Sequence, residues 1–329
     1  MTEKNQPLLT IAIPTYNRAS ILSIALDKLL PQVTEFSDEI EVIISDNGST
    51  DNTQEIIKNH TAQYSKLNFK VYSQTFNTGY FGNFKKCREL SDGKYLWLLS
   101  DNEHLKGDAI KILLNIIKKN REAGVYYLTN KNSSFANLIE ERDSVTFFAQ
   151  EKAYLITLIS SSIFLNEKKN DNFLFEQYKE NSFLGFLFLA NALMVNRTIY
   201  LVNGNLYKSY PCNVYFDIFK SWTKDISKCL IYLVDNNVIN LEVKKVFING
   251  YLKHVIYFHV WQCLMRGGIY GRHYGSSYEL KSKLDKYYSE YFHYQNYVVS
   301  LFSTPRVILK TRFLLRRVKN KLKRTFGIV

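Results

Sequence analysis

The sequence predicts an α/β fold: an open, mostly parallel sheet with helices, followed by a mainly α-helical C-terminal region. Three observations predict it. Short apolar runs rich in β-branched residues alternate with segments of helical periodicity as far as Leu128. Each apolar run ends in polar, carboxylate-bearing or glycine-containing sequence, as in open sheets whose ligands bind beyond the carboxyl ends of the strands. From Asn213 onward apolar residues recur at helical spacing with few glycines and prolines, broken only by MRGGIYGRHYGSS from Met265.

In chain order, residues 8–13 (LLTIAI) read as a buried strand closed by Pro14. Ile21, Leu22, Ala25, Leu26, Leu29 and Leu30 mark one face of a helix that ends at Pro31. Residues 40–45 (IEVIIS) form a second buried strand, and DNGSTDNT after it supplies a turn and a helix start before 54–58. Strands follow at 69–73 and 95–99, the latter opening onto the polar cluster Ser100 to His104. A helix over 108–119 and a strand over 125–128 complete the regular part. Beyond it, 150–166 and 180–196 read as partly helical, with a strand within 159–164. The organisation implied is a sheet domain over 1–210, with halves 8–120 and 121–210, and a helical region over 211–329.

Composition narrows the class. A hydrophobic fraction of 46% and an aromatic fraction of 15%, without long Gly, Ser or Pro tracts, indicate a folded globular chain. The net charge of +13 is placed unevenly: residues 1–210 hold 23 basic and 23 acidic side chains, residues 211–329 hold 20 and 7. A basic partner surface therefore belongs to one end of the chain. The four cysteines stand far apart with no CxxC pair, which argues against a zinc site or a disulfide framework and fits a reducing compartment. MTEKNQP lacks the order of a secretory signal, and the apolar stretches near 154–165 and 183–195 fall short of the roughly 20 residues that span a bilayer. A cytosolic or peripheral location is expected.

Candidate chemistry lies in the polar strand ends. Asp101 and Glu103 follow the strand YLWLL at alternate positions, where a carboxylate pair can hold a hard divalent cation such as Mn²⁺ or Mg²⁺, with a substrate diphosphate completing its shell. The alternative is that Asp101 caps the helix starting near Gly107 and Glu103 is solvated. Asp46 ends a strand in a loop with Asn47, Gly48, Ser49 and Asp51, placed either to accept hydrogen bonds from a nucleoside or to form a turn. Thr15, Asn17 and Arg18, after Pro14, either bind a nucleotide or cap the next helix. Asn77, Gly79 and Asn83 are a loop closing over a ligand or an ordinary turn. No histidine pair has metal-ligand spacing.

The order IAIPTYNR, VIISDNGSTDNT, FNTGYFGN and GKYLWLLSDNE resembles the donor half of family 2 glycosyltransferases with the GT-A fold. The likeness covers residues 8–120, fades towards 210, and is greatest to bacterial transferases of surface polysaccharide, including the abequosyltransferase-like branch. It implies a metal-dependent, inverting enzyme that moves a sugar from a nucleoside diphosphate sugar to a glycan or lipid-linked glycan. Donor-binding roles carry over to Pro14, Thr15, Asn17, Arg18, Asp46, Asn47, Gly79, Asn83 and Asp101. The D-x-D-type motif maps onto Asp101 and Glu103 as metal ligands, with Glu at the third position in place of the more usual Asp. The resemblance puts the base in an acidic pair opening a helix some 80 residues later; here that segment is Lys179-Glu180-Asn181-Ser182, with Asn181 where an Asp is often found. Glu180 is the candidate, Asp171 and Glu176 its rivals; the other reading of Glu180 is a first-turn carboxylate at a helix N-terminus.

From Pro305 the chain carries nine basic and no acidic residues, with Val307, Ile308, Leu314, Leu315, Val318 and Leu322 on one face of an amphipathic helix over 305–326. This points to the anionic inner face of the plasma membrane as partner. A packed helix and a nucleic-acid contact are the alternatives, with no nucleic acid expected; a homo-oligomer stays open. The competing functional readings are a non-catalytic GT-A-like membrane- or nucleic-acid-binding protein and a nucleotidyltransferase, although PTYNRAS lacks the glycine-rich basic loop of the latter.

Overall fold

The computed structural model describes residues 6–120, 122–129, 139–150, 153–210, 220–266, 277–305, 307–309 and 311. Two compact units interleave along the chain: Met1–Phe147 with Leu155–Phe216 and Lys228–Asn240, and Phe148–Tyr154 with Asp217–Ser227 and Leu241–Val329.

The first unit is built on strands β1 (Leu9–Thr15), β2 (Ile40–Asp46), β3 (Asn68–Ser73), β4 (Tyr95–Leu98), β6 (Val125–Thr129), β7 (Ile139–Asp143), β8 (Ser162–Leu165) and β9 (Thr198–Asn203), in the order β3-β2-β1-β4-β8-β6-β9-β7. The pairs β1–β2, β1–β4, β2–β3 and β6–β9 are parallel; β8 runs antiparallel between β4 and β6, and β7 antiparallel to β9. A separate ribbon pairs β5 (Glu103–Leu105) with β10 (Tyr207–Ser209), setting Ser209 opposite Glu103. The expected mostly parallel α/β sheet is thus present.

β1 and β2 are buried along nearly their whole length, as apolar runs in a parallel sheet covered on both faces must be. β1 continues through Pro14 to Thr15. Ala12 and Pro14 point their backbone groups towards β4, whose pairing stops at Ala12–Leu98, so the missing N–H of Pro14 interrupts no ladder. Helix α1 (Ala19–Thr34) likewise passes the expected stop at Pro31. Leu30 and Val33 are both fully buried and hold the last turn on the core, which outweighs the single hydrogen bond that proline forgoes.

Helices α2 (Thr53–Gln63), α3 (Gly79–Leu90), α4 (Ala109–Lys119), α5 (Ser144–Phe148), α6 (Asp171–Gln177) and α7 (Leu184–Val195) follow. Helix α3 corrects the reading of 77–83 as loop. Its inward face is Asn83, Cys87 and Arg88, so no apolar stripe announced it. Helix α7 is apolar on every side and packs on β8, β6 and α3, the pattern of an enclosed core helix. Among the described residues no helix is long and apolar enough to cross a membrane.

The described residues of the second unit are mainly helical, as expected of the C-terminal region. Leu241–Tyr251 continues through a π-helical segment, Leu252–Ile256, into Tyr257–Arg266; Ser277–Tyr288, Tyr294–Val298 and Val299–Ser303 follow. Phe247, Tyr251, Ile256, Leu284, Tyr288 and Tyr294 are among its buried side chains. Of the basic helix expected over 305–326, only Pro305, residues 307–309 and Thr311 are described, and the remainder lies outside the described residues.

Candidate active site

Because β1 lies between β2 and β4, the chain leaves these three parallel strands at one edge, bringing Thr15, Asp46 and Asp101 to the same side of the sheet. Asp101 is buried, with 1% of its surface exposed. Thr15 Oγ1 donates to its Oδ2 at 2.8 Å, and Arg18 Nη1 donates to its Oδ1 at 2.6 Å. Burial raises the Asp101 pKa, and the Arg18 charge with the two donated bonds opposes that rise. The carboxylate after β4 is therefore bound to the loop after β1. It is not a helix cap, since α4 begins at Ala109 with Asp108 before it.

The loops after β1 and β2 are joined in turn. Asn17, held at φ 50°, accepts from the Thr50 N–H at 2.7 Å, while its own N–H donates to Ser49 Oγ at 2.8 Å. The Ala19 N–H donates to Asp51 at 3.1 Å. Asp46 is fully buried; Oδ1 accepts the Ser49 N–H at 3.1 Å and Oδ2 the Gln54 amide at 3.3 Å. Asn47 donates to Asn77 Oδ1 (2.9 Å) and the Gly79 carbonyl (3.2 Å), and accepts from Gln74 and Thr78. Gly48, at φ 73°, passes so close to the Phe76 backbone that a Cβ there would stand 2.8 Å from it. Asn83 donates to the carbonyls of Thr15 and Ser45 at 3.3 and 3.1 Å and accepts from Ser45 Oγ at 2.6 Å. Asn47, Asn77, Gly79 and Asn83 thus frame the strand ends.

Glu103 opens β5 and is half-buried. Ser209 Oγ donates to its Oε2 at 2.6 Å and the Ser160 hydroxyl is a second partner; burial raises its pKa and both bonds lower it. Asn102 fixes this ribbon: its amide donates to the Tyr210 carbonyl at 2.5 Å and the Tyr210 N–H returns a bond to the Asn102 carbonyl at 3.1 Å. The two carboxylates are therefore held differently, Asp101 by a guanidinium and Glu103 by neutral hydroxyls. Among the described residues no group of three or more His, Cys, Asp or Glu forms a metal cage. The donor set fits a hard cation carried on Glu103, with Asp101 nearby in sequence and a ligand from outside the protein completing the shell. Sequence reasoning passed over Asn102, Ser160 and Ser209. Ser160 and Ser209 are remote in sequence and only the β5–β10 and β8 pairings place them.

Asp171 differs from the other two candidate bases in its surroundings. Asp171 is paired with Arg88, whose Nε donates to Oδ2 at 2.9 Å and Nη2 to Oδ1 at 3.3 Å, so it serves an internal ion pair. Glu176 and Glu180 are exposed. Because α7 starts at Leu184, Glu180 stands before the helix, in a left-handed turn at φ 63°, and the first-turn reading of it does not hold. Asn181 is buried and accepts the Phe183 N–H at 2.8 Å, closing the turn into α7.

Comparison with known proteins agrees with this architecture. The chain is 28% identical over 210 residues to the uncharacterized glycosyltransferase MG025 of Mycoplasma genitalium, covering 64% of this chain and 67% of that one. It is 31% identical over 138 residues to abequosyltransferase RfbV of Salmonella typhimurium (41% and 39% covered) and 30% identical over 152 residues to chondroitin synthase of Escherichia coli (46% and 21%). The matches thus span from about a fifth to two thirds of these relatives' length. Among solved structures it is similar in fold to S. aureus TarS 1-349 in complex with UDP-GlcNAc (TM-score 0.59, 15% identity, 84% of this chain and 80% of that one). It is also similar to mannosyltransferase PcManGT from Pyrobaculum calidifontis in complex with GDP-Man and Mn²⁺ (TM-score 0.53, 11% identity, 94% and 87%). Residues 10–191, more than half of the chain, match the family described as Glycosyl transferase family 2, and to that family, with its GT-A fold, the chain belongs.

Proposed function

We propose that the protein is a nucleotide-sugar-dependent glycosyltransferase that moves a sugar from a nucleoside diphosphate to a surface-polysaccharide or lipid-linked oligosaccharide acceptor, with inversion. The observation that carries this reading is the joining of Thr15, Arg18 and Asp101 at the carboxyl edge of β1 and β4, beside the buried Asp46 of β2. Carboxylate and loop donors at one edge suit a nucleoside with its diphosphate. Asp46 accepts from the nucleoside, Arg18 carries positive charge towards the diphosphate, and Thr15 with Arg18 keeps Asp101 in place. Glu103 and Asp101 would hold a Mn²⁺ or Mg²⁺ ion, which would supply neutralisation of charge on the departing diphosphate. Glu180 accepts the acceptor hydroxyl's proton as the new bond to the anomeric carbon forms and the bond to diphosphate breaks. Similarity to abequosyltransferase RfbV and to chondroitin synthase supports the polysaccharide setting, and the basic tail supports a peripheral place on the inner face of the plasma membrane.

The testing experiment is donor hydrolysis by the purified protein over UDP-, GDP-, CDP- and dTDP-sugars, with and without Mn²⁺. One donor should be hydrolysed faster than the rest; hydrolysis of none refutes turnover and favours the non-catalytic reading, for which the buried Asn181 in place of an acid is the specific observation.

Two further outcomes are expected. Asp46→Ala should raise the donor Kd about tenfold or more with little change in kcat, because the nucleoside's bonding changes little during transfer; an unchanged Kd by calorimetry excludes the role. Glu180→Gln should slow transfer by about a hundredfold while sparing donor binding. Loss of transfer in Glu176→Gln with normal rates in Glu180→Gln moves the base to Glu176.

A further inference from the structure

The sheet edge that gathers Thr15, Asp46 and Asp101 also receives the segment that carries Glu180, and aromatic side chains come with it. Arg88, near the C-terminal end of α3, pairs with Asp171 at the start of α6, and Phe81, about two turns earlier in α3, meets Phe175 of α6 edge-on at 6.3 Å between centroids. The two helices therefore run antiparallel, and α6 leads towards the N-terminal half of α3, where Asn83 is bonded to the Thr15 and Ser45 carbonyls. There the Asn181 N–H donates to the Tyr178 carbonyl at 2.9 Å, closing a turn with Glu180 inside it. The first turn of α7 follows, and a Cβ on Gly185 would stand 3.3 Å from the Leu98 side chain, at the end of β4 and just ahead of Asp101.

Three rings of the sheet unit meet beside this turn. Phe173 of α6 stacks on Tyr232 at 6.2 Å between centroids and 26° between planes, and Tyr178 meets it edge-on at 6.4 Å. Tyr178 also meets Tyr232 edge-on, at 5.6 Å. Tyr232 is buried, and its hydroxyl donates to the buried Asn191 of α7 at 2.7 Å, so the ring behind Phe173 is fixed. Phe173 itself is 50% exposed. With Tyr232 on one side and Tyr178 at its edge, the half left in water is the side turned away from Tyr232. A single exposed phenylalanine is ordinary. A ring braced by two others and left open beside the turn that bears the proposed base is a surface prepared for a ligand.

We propose that Phe173, braced by Tyr178 and Tyr232, is a stacking platform for a pyranose ring of the acceptor, so that the enzyme recognises an extended glycan through a sugar residue other than the one that is glycosylated. The inference rests on the glycosyl-transfer reading. The occupant follows from the two kinds of group found together. A pyranose has an apolar C–H face, which suits the electron-rich face of an aromatic ring, and a rim of hydroxyls that need polar partners. Glu176 and Gln177 stand three and four residues after Phe173 on the same helix, beside its ring, and both are exposed. They supply a carboxylate and an amide to that rim. An acyl chain would use the ring and leave Glu176 facing hydrocarbon, which is unfavourable. Tyr178 touches Phe173 and Glu180 lies two residues further on, so the hydroxyl offered to Glu180 belongs to a neighbouring sugar of the same chain.

The test applies the full chain to an array of immobilised bacterial oligosaccharides and titrates the glycan bound most tightly. Phe173→Leu keeps an apolar side chain on α6 but removes the aromatic face. It should keep the native circular dichroism and raise the Kd for that oligosaccharide about tenfold or more, with no change for the monosaccharide at its acceptor end. Phe173→Trp should bind at least as well as the wild type, and the emission it gains should change on adding the oligosaccharide. The proposal is overturned if the wild type binds no glycan on the array, if folded Phe173→Leu binds as the wild type does, or if the emission gained in Phe173→Trp ignores the glycan. It is equally overturned if Phe173→Leu abolishes only self-association of the protein. Donor hydrolysis by the wild type without glycan reads the parent proposal separately. Hydrolysis with unimpaired glycan binding in Phe173→Leu overturns the platform alone; glycan binding lost in Phe173→Leu, without any donor hydrolysis, upholds the platform and removes the transfer reading.

Discussion

Glu103→Gln and Asp101→Asn should each lower metal-dependent donor turnover by about a thousandfold, several kcal/mol of lost charge stabilisation at the departing diphosphate. The two should fail differently. The amide in Glu103→Gln keeps the neutral partners Ser209 and Ser160 and loses only the charge that a cation needs, so the fold and the loop after β1 should be undisturbed. Asp101→Asn removes the anion opposite Arg18 at 2.6 Å, so the guanidinium is released and donor affinity should change as well as rate. Glu103→Asp should retain part of the activity, since the shorter carboxylate is the family's more usual residue. Hydrolysis assays at saturating Mn²⁺ measure the rates; near-normal turnover in both variants removes the metal from this edge.

Arg88→Ala should destabilise the protein by about 3–5 kcal/mol, the range for leaving a buried charge without its partner. Arg88 has no exposed surface. Beyond its two bonds to Asp171 it donates through Nη1 to Asn166 Oδ1 at 2.6 Å and through Nη2 to the Glu167 carbonyl, and its guanidinium lies 4.9 Å from the Phe188 ring centre. Burial lowers the pKa of Arg88 and raises that of Asp171, while each charge supports the other; the two-point contact keeps the pair ionised. Lysine cannot reproduce a fork shared among three acceptor residues, so Arg88→Lys should lose nearly as much. An apolar double replacement, Arg88→Met with Asp171→Leu, should lose less than the two single changes together. Urea unfolding followed by circular dichroism checks the series, and a loss below about 1 kcal/mol for Arg88→Ala contradicts it.

Arg88 also shows where the sequence stops being informative. Its partners stand about eighty residues away, and no spacing rule connects them, so Asp171 stood as a rival to Glu180 for the role of base. The same long-range pairing hid α3, whose buried face is Asn83, Cys87 and Arg88 where a stripe of Leu or Ile normally marks a helix. β1, β2, β4 and α4 were legible because their burial is apolar and local. The four polar strand ends were legible because their order matched a family pattern, and Thr15, Arg18 and Asp101 do meet. What order could not reveal was the division of labour at the edge. Asn47 and Asn83, given donor contacts by the resemblance, also bond the loops and carbonyls around them, a bracing role that order does not register. Glu180 read as the opening of a helix that starts four residues later, because the turn at Asn181 is set by a side-chain bond to Phe183 that periodicity does not register.

The most direct measurement is a crystal structure of the protein with Mn²⁺ and the nucleoside diphosphate of whichever donor it hydrolyses. The account predicts the nucleoside against Asp46, the diphosphate beside Arg18, and an anomalous manganese peak within coordination distance of the Glu103 carboxylate. A nucleotide bound away from the carboxyl edge of β1, β2 and β4, or manganese on other residues with Glu103 still bonded only to Ser209 and Ser160, contradicts it.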